Sequence, residues 1–295
     1  MSKVLCFGSL NIDHIYRVPH MVMEGETLSC TSLRTSAGGK GANQSAAMAR
    51  AGLEVYHAGR IGPDGMFLVD LLDGYGVDTR YIDTTSSATG NAIIQVDDEG
   101  RNCIMIYPGG NREITKEMVD AVLSDFSQGD WLVLQNEINL VDYLITCASR
   151  RGMRICLNPA PYEDEVRSFH LDLVDIICVN EIEGAALAGL PVKTDYETIL
   201  GTLVEAHPHS QILLTAGSHG AYYGYQDRRG RGEIVDLPVK DTTAAGDTFI
   251  GYYIASIERG FDVDDALAYA CRASSIAVSR EGAMQSIPAA SEVFT

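Results

Sequence analysis

Short apolar runs bounded by turn residues alternate along this chain with stretches whose apolar positions recur every three or four residues. Lys3 to Leu10 is the first run and closes on Gly8-Ser9, which reads as a buried strand. Comparable runs follow at Val55–Gly62, Trp131–Gln135, Ile155–Leu157, Ile176–Val179 and Gln211–Thr215. The helical spacing predicts helices over Ser45–Ala51 (ended by Gly52), Asp64–Leu72, from Thr115, Val141–Arg151, Tyr196–Ala206, Thr248–Ile257 and Val263 to about Val278. Strands that alternate with helices predict an α/β fold with a mostly parallel sheet covered on both faces. Two stretches break the rhythm. Residues 14–36 have no helical period and read as an extended excursion with a turn near Glu24-Gly25. Thr89–Val96 and Arg101–Tyr107, joined by Asp97-Asp98-Glu99-Gly100, read as a β-hairpin. Together they predict a small separate sheet, a lid built from about 14–36 and 89–107. A second hairpin pattern pairs Ala221–Tyr225 with Gly232–Leu237, and no internal repeat is present.

Composition narrows the class. With 295 residues and 46% hydrophobic content, residues 1–295 suit one large domain carrying a small appendage. A net charge of −18 argues against nucleic-acid and anionic-membrane partners. No run of 18 apolar residues exists, so no spanning helix is predicted. The first strand begins at once after Met1-Ser2-Lys3, which predicts no signal peptide. The seven cysteines are scattered and form no Cys-x-x-Cys, as expected for reduced thiols in a cytoplasmic protein. His207-Pro208-His209 reads as a surface loop rather than a zinc site.

The candidate chemistry lies where strands give way to loops, the edge at which open α/β sheets bind ligands. Asn11 and Asp13 follow the first strand, and Glu137 follows Trp131–Gln135. Glu137 is either a solvated loop acid or a site residue. Ala37-Gly38-Gly39-Lys40-Gly41-Ala42-Asn43-Gln44 is neither a P-loop nor a dinucleotide fingerprint, because Lys40 is followed by Gly41 and Gly41 leads to Gln44. It offers either close backbone approach to a ligand, flanked by Lys40 and Asn43, or a sterically tight helix entry. Asp241-Thr242-Thr243-Ala244-Ala245-Gly246-Asp247 opens the next helical pattern. Small residues at a helix start let unpartnered N–H groups converge into an anion site. Asp247 at its mouth is either a helix cap or a general base acting beside a phosphoryl group in flight.

With these stretches in order, the chain resembles the ribokinase family of sugar kinases, the PfkB-type carbohydrate kinases. The resemblance covers almost the whole chain. It also rests on Gly8-Ser9-Leu10-Asn11-Ile12-Asp13, Leu157-Asn158-Pro159-Ala160-Pro161, Asn180-Glu181-Ile182-Glu183, Thr215-Ala216-Gly217-Ser218-His219-Gly220 and Arg280-Glu281-Gly282-Ala283. It implies a three-layer sandwich with a β-sheet lid. It implies ATP-dependent phosphorylation of the primary 5-hydroxyl of D-ribose to ribose 5-phosphate, with Asp247 as general base. The N–H groups of Ala245, Gly246 and Asp247 would form the anion hole. Asn11, Asp13, Gly39, Lys40, Asn43 and Glu137 would hold the sugar. Asn180, Glu183, Thr215, Gly217, Gly220 and Cys271 would lie along ATP and its Mg²⁺. Asp241, Thr243, Ala277, Arg280, Gly282 and Ser286 would surround a monovalent cation, K⁺. The family's lid often also makes a homodimer interface. Asn91, Pro108-Gly109-Gly110-Asn111, Cys271 and Arg272 depart from the usual family residues and bear on the choice of sugar and the nucleotide contacts. The alternatives are a kinase for another furanose, a sugar acid or a nucleoside, or a sugar-binding regulator without catalysis.

Overall fold

The computed structural model describes residues 2–295. Strand β1 (Val4–Phe7) is followed by β2 (Asn11–Arg17) and β3 (Ser32–Gly38). Then come α1 (Lys40–Arg50), β4 (Val55–Ile61), α2 (Met66–Gly74) and β5 (Asp78–Thr84). Strands β6 (Gly90–Val96) and β7 (Asn102–Tyr107) form a second excursion. The alternation resumes with α3 (Lys116–Leu123), β8 (Trp131–Gln135), α4 (Val141–Arg150), β9 (Arg154–Asn158) and β10 (Ile176–Asn180). It continues through α5 (Glu181–Ala188), α6 (Tyr196–Ala206) and β11 (Gln211–Thr215) to the hairpin β12 (Ala221–Tyr225) and β13 (Arg228–Gly232). Helices α7 (Ala245–Glu258), α8 (Val263–Val278) and the short α9 (Ala290–Val293) complete the described chain.

The main sheet has nine strands in the order β13-β12-β11-β10-β9-β8-β1-β4-β5. All its pairings are parallel except those of the terminal hairpin, β11 with β12 and β12 with β13. Period-2 alternation splits each central strand between two cores. Trp131 and Val133 of β8 pack with Tyr252, Tyr253 and Leu267 from α7 and α8. Leu132 and Leu134 pack with Val119, Leu144 and Leu203 from α3, α4 and α6 on the other face. The result is the three-layer α/β sandwich.

The two irregular stretches do meet in one sheet, of order β3-β2-β6-β7. β2 pairs antiparallel with β3, Asn11 opposite Gly38, and parallel with β6, Asn11 opposite Gly90. The lid therefore begins at Asn11 rather than at about residue 14. Asn11 and Asp13 are the first rungs of a lid strand instead of a loop at the sheet edge.

Other boundaries move for local reasons. α1 starts at Lys40 rather than Ser45, because Gly39 is its N-cap and the glycine-rich run is its first turn. α7 starts at Ala245, three residues before Thr248. The second arm of the C-terminal hairpin is Arg228–Gly232, not Gly232–Leu237, and its arginines suit an exposed sheet edge. β5 lacks a predicted counterpart because it is a half-exposed, polar edge strand. α5 lacks one because its Ala- and Gly-rich sequence carries no apolar stripe.

Candidate active site

The site is assembled above the C-terminal ends of the central strands. The link Gly8-Ser9-Leu10 carries the backbone from β1 into the lid, and the head of α1 lies directly on it. Gly39 has φ 93, and a Cβ there would stand 2.9 Å from the Ser9 carbonyl oxygen. At Gly41 a Cβ would stand 2.4 Å from the Ser9 nitrogen and 2.6 Å from the Gly8 carbonyl carbon. Both positions need glycine because backbone meets backbone. α1 has no capping side chain of its own. Glu137, from the loop after β8, supplies one: its Oε2 accepts the Lys40 N–H at 2.9 Å and the Ser9 hydroxyl. Ser9 Oγ in turn accepts the Gly41 N–H at 3.2 Å. A carboxylate here also complements the positive end of the helix dipole. Glu137 is thus tied to α1, which a solvated loop acid is not.

At the head of α7, Ala244 is the N-cap, left-handed at φ 60, and no side chain caps the helix. Asp247 is the third residue of the helix and fully inside it, so the cap reading of this acid does not hold. Its carboxylate, 6% exposed, accepts from Asn43 Nδ2 at 3.0 Å and from Gln44 Nε2 at 2.9 Å. Among the described residues the N–H groups of Gly246 and Asp247 have no acceptor, whereas that of Ala245 makes a long turn contact to the Thr242 carbonyl at 3.3 Å. Two free donors therefore flank a buried carboxylate, the arrangement that an anion and a proton acceptor require side by side.

A cavity of about 740 Å³ opens here. Asn11, Asp13, Lys40, Asn43, Glu137 and Asp247 line its floor. The lid covers it with aliphatic side chains, Ile15, Ile94, Ile104 and Ile106 among them. Asn11 is anchored by Asn111, whose Nδ2 donates to Asn11 Oδ1 at 2.7 Å and whose Oδ1 accepts the Leu10 N–H at 3.0 Å. Asn43 Oδ1 is buried without a partner while its amide holds Asp247, so an acceptor is left for a ligand hydroxyl. Charges interact strongly here. Burial, and then the negative charge of Glu137, push Asp13 up to about 7. Burial alone would lower the Lys40 ammonium, but Asp247, Glu137 and Glu183 together leave it above its ordinary value.

The other expected residues fall into two groups. Asn180 and Glu183 cap α5 reciprocally: Asn180 Oδ1 accepts the Glu183 N–H at 2.8 Å, and Glu183 Oε2 accepts the Asn180 N–H at 3.0 Å. Burial raises the Glu183 carboxyl. Thr215 ends the neighbouring strand β11, and Gly217 and Gly220 flank the turn behind it, both at positive φ. Cys271 is buried against Gly232 and Leu267, and burial pushes its thiol up to about 12, as for a core thiol. In the second group, Asp241 Oδ1 accepts the Thr243 N–H at 2.9 Å and its hydroxyl at 2.6 Å, and Oδ2 accepts the Gly282 N–H at 3.0 Å. These bonds hold Asp241 below the usual carboxylate range despite burial. Ala277 and Arg280 stand at the end of α8, with the Arg280 N–H on the Ala277 carbonyl at 3.0 Å and its guanidinium on Glu292. Ser286 is buried and donates to the Ala283 carbonyl at 2.7 Å.

This assembly can be set beside known proteins. Residues 1–290 match the pfkB family of carbohydrate kinases. The chain belongs to that family. It is 33% identical over 307 residues to a ribokinase of Haemophilus influenzae, covering 100% of this chain and 98% of that one. It is 29% identical over 292 residues to a deoxyribokinase of Salmonella typhi, covering 97% and 95% respectively. It superposes with a TM-score of 0.87 and 29% identity on the Arabidopsis thaliana ribokinase solved with ribose and ATP, covering 99% of this chain and 97% of that one. The α/β fold with its nine-stranded sheet and separate small sheet therefore matches that ribokinase structure over nearly the whole of both chains. No helix among the described residues is long and apolar enough to cross a membrane.

Three residues of this pfkB kinase site stand within motifs quoted from the sequence but are given no site role of their own there. Ser9, Gln44 and Asn111 each bind a site residue directly. Their side chains are uncharged amides or a hydroxyl, and only the tertiary partner distinguishes them from ordinary loop polar residues. The one available signal was their place within or beside the glycine-rich stretches.

Proposed function

We propose that the chain transfers the terminal phosphoryl group of ATP to the primary 5-hydroxyl of D-ribose, giving ribose 5-phosphate and ADP. The carrying observation is Asp247, a buried carboxylate oriented by two amides and placed one residue from free helix N–H groups. In this reading Asp247 accepts the hydroxyl proton while the 245–247 backbone, chiefly Gly246 and Asp247, receives the negative charge of the group in transfer. Asn11, Asp13, Gly39, Lys40, Asn43 and Glu137 hold the sugar from the floor of the cavity, and the lid excludes water that would otherwise take the phosphoryl group.

ATP would lie over the ends of β10 and β11, along Asn180, Glu183, Thr215, Gly217 and Gly220. Mg²⁺ on the nucleotide would neutralise phosphate charge there. The Asp241–Gly282 junction would take a monovalent cation: in this reading the Asp241 carboxylate, held below the usual carboxylate range beside the Gly282 N–H, would be joined by the backbone oxygens of Thr243, Ala277, Arg280 and Gly282 and by Ser286 as a hard-oxygen donor set. We assign it to K⁺.

The test is ADP release with ATP and a panel of sugars. D-ribose should exceed 2-deoxyribose, fructose and nucleosides, because a missing hydroxyl strands a buried polar group at about 1–3 kcal/mol, or roughly 10- to 100-fold in kcat/KM. Asp247→Asn should lower turnover at least ~10²-fold with both substrates still binding. Near-normal turnover in that variant would remove the base assignment. A sugar acid is the second reading, because Arg17 and Arg34 of the lid line the same cavity. A nucleoside base would seek an aromatic shelf, and the apolar lining here is aliphatic.

A further inference from the structure

Resting on the assignment of Asp247 as base, the geometry points to Gln44 as the residue that positions it, through an amide relay reaching back into the sheet. Gln44 is fully buried in the first turns of α1 and lines no part of the cavity. Its Nε2 donates to Asp247 Oδ1 at 2.9 Å and to Asn158 Oδ1 at 3.3 Å. Its Oε1 accepts from Gln135 Nε2 at 2.7 Å. Asn158 is anchored in turn, its Nδ2 donating to the Cys178 carbonyl at 2.9 Å. The polar atoms of Gln44 are therefore all engaged, and its two partners besides Asp247 are the last residues of β8 and β9.

The direction of the relay is dictated by charge. A carboxylate only accepts, so the amino end of Gln44 must face Asp247. Its carbonyl then faces Gln135, which must present its own amino group. That leaves Gln135 Oε1 buried with no partner, against the backbone of Gly8. An orphaned buried acceptor is costly, and the other contact that this orientation gives Gln135, its Nε2 donating to Cys6 Sγ at 3.5 Å, is a weak one. The arrangement follows once the amide chain is required to end in a donor at Asp247.

Gln44 and Asn43 hold opposite oxygens of the carboxylate. Asn43 also faces the cavity and would meet the sugar, whereas Gln44 acts only through Asp247. Gln44 thus sets the rotamer of the base without touching substrate. Replacing it should lower kcat and spare sugar and ATP binding.

The experiment uses Gln44→Met, which keeps length and volume and removes both donors. We expect kcat to fall roughly 10- to 100-fold, the scale of a lost hydrogen bond to a charged group, with KM for sugar and ATP within about three-fold. Gln135→Met, one step further from the base, should give a smaller fall of the same kind and serves if Gln44→Met does not fold. The decisive measurement is a double-mutant cycle with Asp247→Ala. If Gln44 acts through the carboxylate, adding Gln44→Met to Asp247→Ala changes kcat by less than two-fold. A further fall equal to that in wild type, or a rise in both KM values with kcat unchanged, overturns the inference. Wild-type turnover in Asp247→Ala itself overturns the base assignment instead, so the two failures are distinguishable.

Discussion

Asp13 illustrates at the residue scale what the cavity does to an ordinary side chain. Its carboxyl is moved to about 7 by burial and by the charge of Glu137. Below that pH the folded, ligand-free enzyme carries it neutral. A sugar hydroxyl that donates to Asp13 prefers the carboxylate, so KM for the sugar should fall as pH rises from about 6 to 8. Asp13→Asn should raise KM and flatten that profile. The same shift has a stability consequence of opposite sense. Between the ordinary carboxylate value and about 7 the folded chain binds a proton that the unfolded chain has released. The contribution of this group to stability is therefore lost progressively as pH rises through that window. Thermal unfolding of wild type and Asp13→Asn from pH 4 to 7 should show the wild type falling more steeply; parallel curves would mean that Asp13 is ordinarily ionised. At this scale the sequence revealed residue types but few partners. Lys40, Asn43 and Asp247 stand in recognisable stretches, whereas Gln44 differs from any other glutamine only by lying 2.9 Å from Asp247.

At the scale of elements, the two helix heads that form the floor are built differently. α1 enters through glycines and borrows Glu137 as its cap. α7 enters through Ala244 in the left-handed region, and its first turn is left without a side-chain cap. A Cβ in that conformation costs roughly 1 kcal/mol. Ala244→Gly should hold activity and leave the melting temperature unchanged or raise it by about 2 °C, since relieved strain is partly offset by a freer unfolded chain. A clear loss of activity would show that the methyl group has a role of its own. The loop behind α8 meets the same floor through Asp241. Turnover should rise when K⁺ replaces a bulky organic cation, and Asp241→Asn should lose most of that rise. Equal rates in both salts would remove the cation cage from the mechanism. Neither helix head had visible boundaries in the sequence, because glycine and alanine runs carry no period and their first turns are set by what they pack on.

For the whole molecule, the lid is the unfinished part. Every residue of β7 is exposed, including Ile104, Met105, Ile106 and Tyr107, and β7 and β3 are both open edges. A four-stranded sheet with an apolar open edge calls for cover. We expect a second copy to supply it, so light scattering at micromolar concentration should report twice 31.9 kDa. A particle of monomer mass under those conditions would count against the pairing of lids. The sequence by itself determined the alternation of strands and helices, the two covered faces of the sheet and the existence of a lid. The first two depend on hydrophobic period, which is local and repeats over many residues, and the lid on a break in that period and a local hairpin turn. It also marked the glycine-rich and Asp241–Asp247 stretches, because turn chemistry is local too. Only the tertiary structure decided that Asn11 and Asp13 belong to the lid sheet rather than to a loop at the main sheet's edge, that Glu137 caps a helix 97 positions away, and that Gln135 and Gln44 lead to Asp247. Such contacts carry no periodic trace, since they arise when distant strand ends and helix heads are brought to one edge of the sheet.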